Sequence, residues 1–292
     1  MIACFKENII TELHAASVTC KFCGSATEVV RFGTYKGVQR YFCKKCGRKF
    51  ATTSSLPGMR TPANQISSAL SMFYEGMSLN AICRCLKQTY NYYPSDSAVY
   101  GWIIRFTKIA VSRADRYVVR AGNTWVADET VLNIGGQNVW FWDIIDDQSC
   151  FLLASHLSLS RTTKDAQVLM LSAMKHAKQP PKVMITDRLR AYLDGIERVF
   201  GADTKHVLSR GFRIEPNTNL IERFHGTLKD RTKVMRGMKN RETARLIMNG
   251  WLIHYNFFRP HEGLRGRTPG EAAEIAFPFE NWAEVVTQGE KA

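Results

Sequence analysis

The sequence lacks any long uninterrupted hydrophobic run. No segment approaches the roughly 18 apolar residues that a membrane-spanning helix needs. Residues 1–14 mix charged and apolar groups instead of forming the hydrophobic core of a signal peptide. We therefore expect a cytoplasmic protein that does not insert into membranes. In that reducing compartment, its eight cysteines favour metal binding over disulfides.

Internal repeats, low-complexity segments and a GxxxxGK[ST] phosphate-binding loop are also missing. The first two absences argue against a repeat protein, and the third argues against ATP-driven chemistry of the P-loop type. With 45% hydrophobic and 23% charged residues, the composition is that of a folded globular chain. Its 292 residues suffice for one large core and one or two small modules.

Acidic residues are scarce relative to basic ones. There are 26 Asp and Glu against 40 Lys and Arg, which gives a net charge of +14. The excess is clustered, with eight basic residues and one acidic residue in residues 20–50, and eleven against four in residues 205–245. Two basic regions indicate an extended contact with a polyanion, and nucleic acid is the partner we expect. A generally basic, solvated surface is the alternative.

Four cysteines near the start of the chain form two Cys-x2-Cys pairs separated by nineteen residues: Cys20, Cys23, Cys43 and Cys46. Two such turns on facing hairpins complete a tetrahedral Cys4 site for one structural Zn²⁺. An iron–sulfur site and redox thiols are the alternatives. We expect a zinc ribbon over residues 1–51, with glycines in the tight turns after Cys23 and Cys46. The other four cysteines have no paired spacing and are expected to be packing residues.

Residues 60–120 show helical periodicity in three short segments. Gly76 ends the first, Ser78 caps the second, and Pro94-Ser95-Asp96 opens the third. This order is compatible with a helix-turn-helix DNA-binding unit, with Arg105 and Lys108 on its third helix as candidate DNA contacts. A plain helical linker domain is the alternative.

Residues 121–236 change character to short apolar runs separated by turns. The pattern predicts the element order βββαβαβα, which makes a mixed α/β sheet flanked by helices. Residues 237–292 are expected to form a helical tail.

Three acidic residues occupy positions suited to chemistry. Asp128 is expected to end the first strand of this sheet, and Asp187 follows a later apolar strand. Glu222 lies on an amphipathic helix that also presents Lys229 on the same face. Glu129 is expected to point to the opposite face of the sheet and to play a supporting part. The acids at positions 143, 146 and 147 compete with Asp128 as the first ligand.

The motifs around these acids resemble those of DDE transposases of prokaryotic insertion sequences, in the retroviral-integrase-like superfamily. The matching elements are Trp-Val-Ala-Asp128-Glu-Thr, Ile-Thr-Asp187-Arg and Asn-x-x-Glu222-Arg-Phe-His-Gly-x-x-Lys229. Thirty-four residues separate Asp187 from Glu222, and a Tyr255-Asn256 tail motif follows. The resemblance spans about residues 120–275 and implies an RNase H-like core.

The resemblance implies that Asp128, Asp187 and Glu222 are catalytic and hold two Mg²⁺ or Mn²⁺ ions for phosphoryl transfer. It implies a transposase that cleaves the ends of a mobile element and joins the 3′-OH ends to target DNA. The expected partners are the element's double-stranded terminal inverted repeats, the target DNA and further copies of the chain, in a homodimer or larger assembly. Further candidate DNA contacts are Lys229, His225 and Arg223. A catalytically silent, domesticated DNA-binding regulator and an RNase H-like nuclease are the alternatives.

Overall fold

A computed structural model describes residues 18–35, 38–51, 56, 59–114, 119–209, 218–235 and 238–288. The chain divides into two compact units, Met1–Ala63 and Asn64–Ala292. Each unit is described by itself. No helix in the described ranges combines the length and the apolar character needed to cross a bilayer.

The first unit contains a small antiparallel sheet. Its strands are β1 (Val29–Tyr35), β2 (Val38–Cys43) and β3 (Lys49–Ala51), in the order β1-β2-β3. The hairpin of β1 and β2 agrees with the expected ribbon. Strand β3 is an additional strand that the sequence pattern did not predict. Cys20, Cys43 and Phe50 are buried and form the small core of this unit. A hydrophobic core of this size provides little stabilisation. The unit therefore needs another source of stability.

The second unit opens with three helices, α1 (Ala63–Tyr74), α2 (Leu79–Tyr90) and α3 (Asp96–Ala114). The Ser78 hydroxyl accepts a hydrogen bond from the Ala81 amide at 3.3 Å and caps α2 as expected. The inner face of α3 is buried, and α3 packs against α2 as well as against later helices. The predicted helical unit after the ribbon is confirmed.

A five-stranded mixed sheet forms the centre of the second unit. It consists of β4 (Thr124–Ile134), β5 (Gln137–Asp146), β6 (Leu152–Ser158), β7 (Val183–Thr186) and β8 (Lys205–Leu208), in the order β6-β5-β4-β7-β8. The pairs β4–β5 and β5–β6 are antiparallel, whereas β4–β7 and β7–β8 are parallel. The predicted element order and the mixed α/β sheet flanked by helices are confirmed.

Helices cover both faces of this sheet. Helix α4 (Thr163–Ala177) packs on β5 and β6 and against α5 (Arg190–Val199). Helix α6 (Asn219–Lys233) packs on β4 and β5 through buried Ile221, Phe224 and Leu228. Because neighbouring strand residues point to opposite faces, β4 presents alternate side chains to α5 and to α6.

The last helices of the second unit pack against α1 and α3. Helix α7 (Arg241–Ile253) contacts α3 so closely that a Cβ on Gly250 would lie 2.5 Å from Thr107. A π-helical turn follows (His254–Phe258), then α8 (Pro269–Ala272) and α9 (Trp282–Gln288). The Asn256 amide donates to the Leu152 carbonyl at 3.1 Å and its oxygen accepts from the Leu152 amide at 3.0 Å. This residue of the tail motif therefore fixes the start of β6.

One expectation about the sheet is wrong. Asp128 does not end its strand, because β4 continues to Ile134. The neighbour β7, however, pairs with β4 only as far as Ile185 opposite Val126. In the same parallel register, Asp128 and Asp187 stand at one level, just beyond the end of β7. The prediction that Asp128 lies where a strand ends holds for β7, which stops beside it, and not for β4, to which Asp128 belongs.

Candidate active site and cysteine cluster

The four cysteines of the first unit meet at one point. Their sulfur atoms all lie within 4.8 Å of one another, with Cys20 Sγ 3.7 Å from Cys46 Sγ and Cys23 Sγ 3.5 Å from Cys43 Sγ. Each pair lies on a tight turn, closed by a hydrogen bond from the amide of Gly24 or Gly47 to the carbonyl of the first cysteine of that pair. Both glycines have φ near +70°, which favours glycine. The set of four sulfurs fits a tetrahedral zinc site without an open coordination position.

Two carboxylates of the predicted triad come together at the end of β7. One oxygen from each of Asp128, Glu129 and Asp187 lies within 4.8 Å of the others. The Asp187 carboxylate accepts a hydrogen bond from the Leu189 amide at 2.8 Å, which fixes it at the turn into α5. Its side chain is 41% exposed and that of Asp128 is 19% exposed, so both are open to solvent. Hard carboxylate oxygens in an open cluster suit Mg²⁺ or Mn²⁺.

Glu222 stands in the first turns of α6 and is not part of that 4.8 Å group. Its carboxylate is exposed and accepts a hydrogen bond from the Thr218 hydroxyl at 2.9 Å. One helical turn later, His225 Nδ1 lies 3.5 Å from Asp128 Oδ2. Residues three apart on a helix are neighbours on its surface, so Glu222 lies next to His225 on α6.

His225 belongs to a buried network. Its Nε2 lies 3.1 Å from the fully buried carboxylate of Asp143, which pairs across the sheet with Asp128. Burial alone would lower the pKa of His225, but hydrogen bonding to Asp128 and Asp143 outweighs burial and raises the pKa to about 9. Because the imidazole is 5% exposed and held between two carboxylates, we reassign His225 from DNA contact to the support of Asp128.

Asp143 and Asp146, the rival first ligands, have other partners. Burial raises the pKa of Asp143 to about 7, and its Oδ2 bonds His225. Asp146 accepts hydrogen bonds from the Gly122 amide and from Ser149, and so holds the turn after β5. Neither carboxylate belongs to the cluster around Asp187.

Glu129 contributes one oxygen to this cluster, and its partners are Tyr192 of α5 and Arg161. Its side chain is 2% exposed; Tyr192 of α5 donates a hydrogen bond to it at 2.6 Å, and Arg161 forms a close ion pair with it. Burial raises the pKa of Glu129, against the opposing effect of these two hydrogen bonds. The sequence argument placed Glu129 on the opposite face from Asp128, and the contacts with α5 agree with that placement.

Arg161 is a residue of this site that sequence reasoning missed. Its guanidinium binds Glu129, lies 4.7 Å from the centroid of the Trp140 ring, and has Nη2 3.7 Å from Asp187 Oδ2. In the sequence it is one arginine before a helix cap, and its partners are far away along the chain. Only the contacts in the folded protein identify Arg161 as part of the site.

The candidate DNA contacts differ in their surroundings. Arg223 and Lys229 are exposed on α6, and Lys229 lines a shallow depression beside residues 131–133 of β4. Arg105 and Lys108 are exposed on α3. These four cations are accessible to a large anionic partner, unlike His225.

Comparison with known proteins gives one family for the central part of the chain. Residues 122–261 match the family model DDE_Tnp_IS240, described as a DDE domain. No curated protein sequence gives a significant match.

Several solved structures show similarity to the fold at low sequence identity. The HTLV-2 integrase catalytic core domain in complex with magnesium is 18% identical, with a TM-score of 0.42 over 53% of this chain and 97% of that chain. The catalytic core domain of BIV integrase is 19% identical, with a TM-score of 0.40 over 53% and 95%. The simian T-cell lymphotropic virus intasome is 14% identical, with a TM-score of 0.42 over 73% and 77%.

The family match contains all three acidic residues singled out by the sequence, Asp128, Asp187 and Glu222. Residues 122–261 are therefore a DDE domain.

Proposed function

We propose that this protein is a DNA transposase that cleaves the ends of a mobile element and joins the freed 3′-OH ends to target DNA. The observation that carries the proposal is the meeting of Asp128 and Asp187 at the open end of β7, inside a DDE domain. The proposal adds Glu222 of α6, the helix whose His225 lies 3.5 Å from Asp128. The donor set consists of oxygens only and is partly exposed, as a site for phosphate chemistry requires.

In this proposal Asp128, Asp187 and Glu222 hold two Mg²⁺ or Mn²⁺ ions. When bound, such ions activate the attacking oxygen and stabilise the leaving oxygen of an in-line displacement. The chain's own residues set up the site: His225 and Asp143 fix Asp128, and the Leu189 amide fixes Asp187. Cys20, Cys23, Cys43 and Cys46 hold one structural Zn²⁺ in the first unit.

Cleavage and joining each form one P–O bond and break one, so neither step needs ATP. In cleavage, water forms a P–O bond as the phosphodiester bond breaks, leaving a 3′-OH. In joining, that 3′-OH forms a P–O bond to target DNA as one target P–O bond breaks. Each step exchanges one P–O bond for another, which agrees with a chain that lacks a P-loop motif.

Arg161 has a positioning role in this scheme. Glu129 and Trp140 hold its guanidinium beside Asp187. An arginine has five N–H donors, and Glu129 uses two of them. The remaining donors can orient the Asp187 carboxylate and contact a phosphate of the DNA strand that enters the site.

Arg223, Lys229, Arg105 and Lys108 are proposed to contact DNA phosphates. Such contacts position the DNA and make binding depend strongly on salt. The proposed DNA is double-stranded, namely the terminal inverted repeats and the target, which places the protein at the nucleoid. Because two DNA ends are joined in one event, we propose that the acting form is a homodimer or a larger assembly.

A strand-transfer assay tests this function. The DNA flanking the gene serves as the donor, a supercoiled plasmid serves as the target, and Mg²⁺ is supplied to the full chain. We expect donor ends covalently joined to the plasmid. Cleaved donor without joined product would indicate an RNase H-like nuclease. Specific donor binding without either product would indicate a catalytically silent regulator, and both outcomes contradict the proposal.

A further inference from the structure

One face of the small sheet in the first unit combines exposed apolar side chains with cations. Phe42 of β2 lies opposite Val30 of β1 and Lys49 of β3, and residues directly opposite each other share a face. The Phe32 ring lies on this face, with its centroid 6.2 Å from that of Phe42. Side chains of one face recur every second residue along a strand, and Tyr35 lies opposite the second residue before Arg40. We call this surface the open face, and its residues are Val30, Phe32, Tyr35, Val38, Arg40, Phe42 and Lys49.

The two faces of the sheet differ in burial. The opposite face carries the core, where Cys43 and Phe50 are buried and Tyr41 packs against them. In the described part of the first unit, all the exposed large hydrophobic side chains belong to the open face: Val30 (39%), Phe32 (44%), Tyr35 (63%) and Val38 (41%). Exposed apolar side chains gathered on one face of so small a sheet indicate an interaction surface.

The cations of the open face lie beside its aromatic rings. Lys49 Nζ is 3.9 Å and the Arg40 guanidinium carbon is 5.9 Å from the centroid of the Phe32 ring. Phe32 is 44% exposed with both contacts in place, so part of its ring is open to a partner. None of the three strands contains an acidic residue. The complementary partner is therefore anionic and also offers flat apolar surfaces.

An unpaired nucleic-acid strand has both properties. Its bases can stack on aromatic side chains while its phosphates contact nearby Lys and Arg. In a duplex, the base faces are stacked on one another, so only the cations of the open face would find a partner. Sheets that present aromatic rings are a known platform for unstacked bases.

We propose that the open face binds an unpaired DNA strand, with bases stacked on Phe32 and Tyr35 and phosphates against Arg40 and Lys49. This goes beyond the proposed function, in which the DNA is double-stranded. It also requires no metal ion at the acidic residues of the second unit.

Fluorescence anisotropy of the full chain tests the proposal. The probes are a short labelled DNA oligonucleotide, the duplex of the same sequence and the matching RNA, all without added Mg²⁺. We expect Phe32→Leu, which removes the ring but stays apolar, to raise the Kd for the single strand about tenfold or more. The Kd for the duplex is expected to change by less than about twofold. Because binding is measured without cleavage, failure here is distinct from failure of the strand-transfer assay.

Two further variants separate stacking from a structural role of Phe32. Phe32→Tyr keeps the ring and is expected to bind the single strand as the parent does, and equal zinc content shows that the unit is folded. Lys49→Gln is expected to weaken binding and to reduce the slope of log K against log salt concentration by about 0.7. The matched control is Lys175→Gln, an exposed lysine of α4, which leaves single-strand binding unchanged.

Four results would overturn the proposal. Unchanged single-strand affinity of Phe32→Leu would remove the stacking role. An equal loss for the single strand and the duplex would make the open face a duplex contact. Tighter binding of the RNA than of the DNA strand would assign a different nucleic acid. A change in oligomeric state of Phe32→Leu with unchanged DNA binding, seen by analytical ultracentrifugation, would make the open face an interface between copies of the chain.

Discussion

At the residue scale, the site contains two carboxylates that keep solvent access and two that are buried against their partners. Asp128 and Asp187 retain solvent access, whereas Asp143 is bonded to His225 and Glu129 to Arg161 and Tyr192. The sequence identified all of these acids but could not show which of them are paired, because each partner is distant in the chain. His225 and Asp143 are 82 residues apart. Only the packing of α6 on β5 brings them together.

The first residue-scale prediction concerns this pair. His225→Leu leaves Asp143 buried without its partner, and we expect the free energy of unfolding to fall by about 3 kcal/mol. Asp143→Leu alone leaves the imidazole without its buried partner and is also destabilising. Each single change leaves one partner buried without the other. We therefore expect the double variant to lose less free energy of unfolding than the sum of the two single losses. Urea denaturation of the four proteins measures this coupling, and additive losses would contradict it.

The second residue-scale prediction concerns Arg161. Arg161→Lys keeps the charge but loses the planar fork that binds Glu129 and approaches Asp187. We expect the cleavage rate at saturating DNA to fall by about tenfold or more, with DNA affinity nearly unchanged. The matched control is Arg120→Lys, a change in an exposed ion pair with Glu274. A change confined to DNA affinity would make Arg161 an ordinary phosphate contact.

At the element scale, the sequence was informative because local signals and tertiary structure agree. Ser78 caps α2, Gly24 and Gly47 form the predicted turns, and the order βββαβαβα is present. Residues 124–134 show the limit of such signals. The polar residues Asp128, Glu129 and Thr130 resemble the end of a strand, yet the hairpin partner β5 extends the strand to Ile134. Pairing with the next strand of the hairpin overrides the local pattern.

The element-scale prediction concerns the start of α4. Asp165 accepts hydrogen bonds from the Thr162 amide and hydroxyl at 3.0 and 2.6 Å, and from the Ser160 hydroxyl at 2.8 Å. Burial alone would raise the pKa of Asp165, but these hydrogen bonds outweigh it and lower the pKa. We expect Asp165→Ala to reduce the free energy of unfolding by about 1 kcal/mol at pH 7.

The sign of the pH dependence follows from the lowered pKa of Asp165. The stabilisation is present above the ordinary pKa of an aspartate and is lost as the pH falls through the lower pKa of the folded protein. The difference between the parent and Asp165→Ala should therefore shrink in acid. The matched control is Glu197→Ala, an exposed carboxylate on α5. A difference that persists at low pH would show that the charge of Asp165 is not responsible.

At the scale of the whole molecule, the two units differ in what stabilises them. The second unit has a large core built on five strands, whereas the described part of the first has a hydrophobic cluster of three buried residues and four converging thiols. We expect a strong zinc chelator, or the variant Cys43→Ser, to unfold the first unit while the second keeps its cooperative transition. Metal analysis and limited proteolysis of the full chain check this, with Cys83→Ser as the control. An intact first unit without zinc would contradict the proposed Cys4 site.

The central claim is that Asp128, Asp187 and Glu222 form the catalytic triad, and one comparison tests it most directly. The structure places the Glu129 carboxylate within 4.8 Å of oxygens of Asp128 and Asp187, whereas Glu222 approaches from α6. Mg²⁺-dependent cleavage of the donor DNA is measured for Asp187→Asn, Glu222→Gln and Glu129→Gln. We predict that the first two lose activity by about a thousandfold or more while still binding DNA, and that Glu129→Gln stays within about tenfold of the parent. An active Glu222→Gln beside an inactive Glu129→Gln would contradict the account and make Glu129 the third ligand.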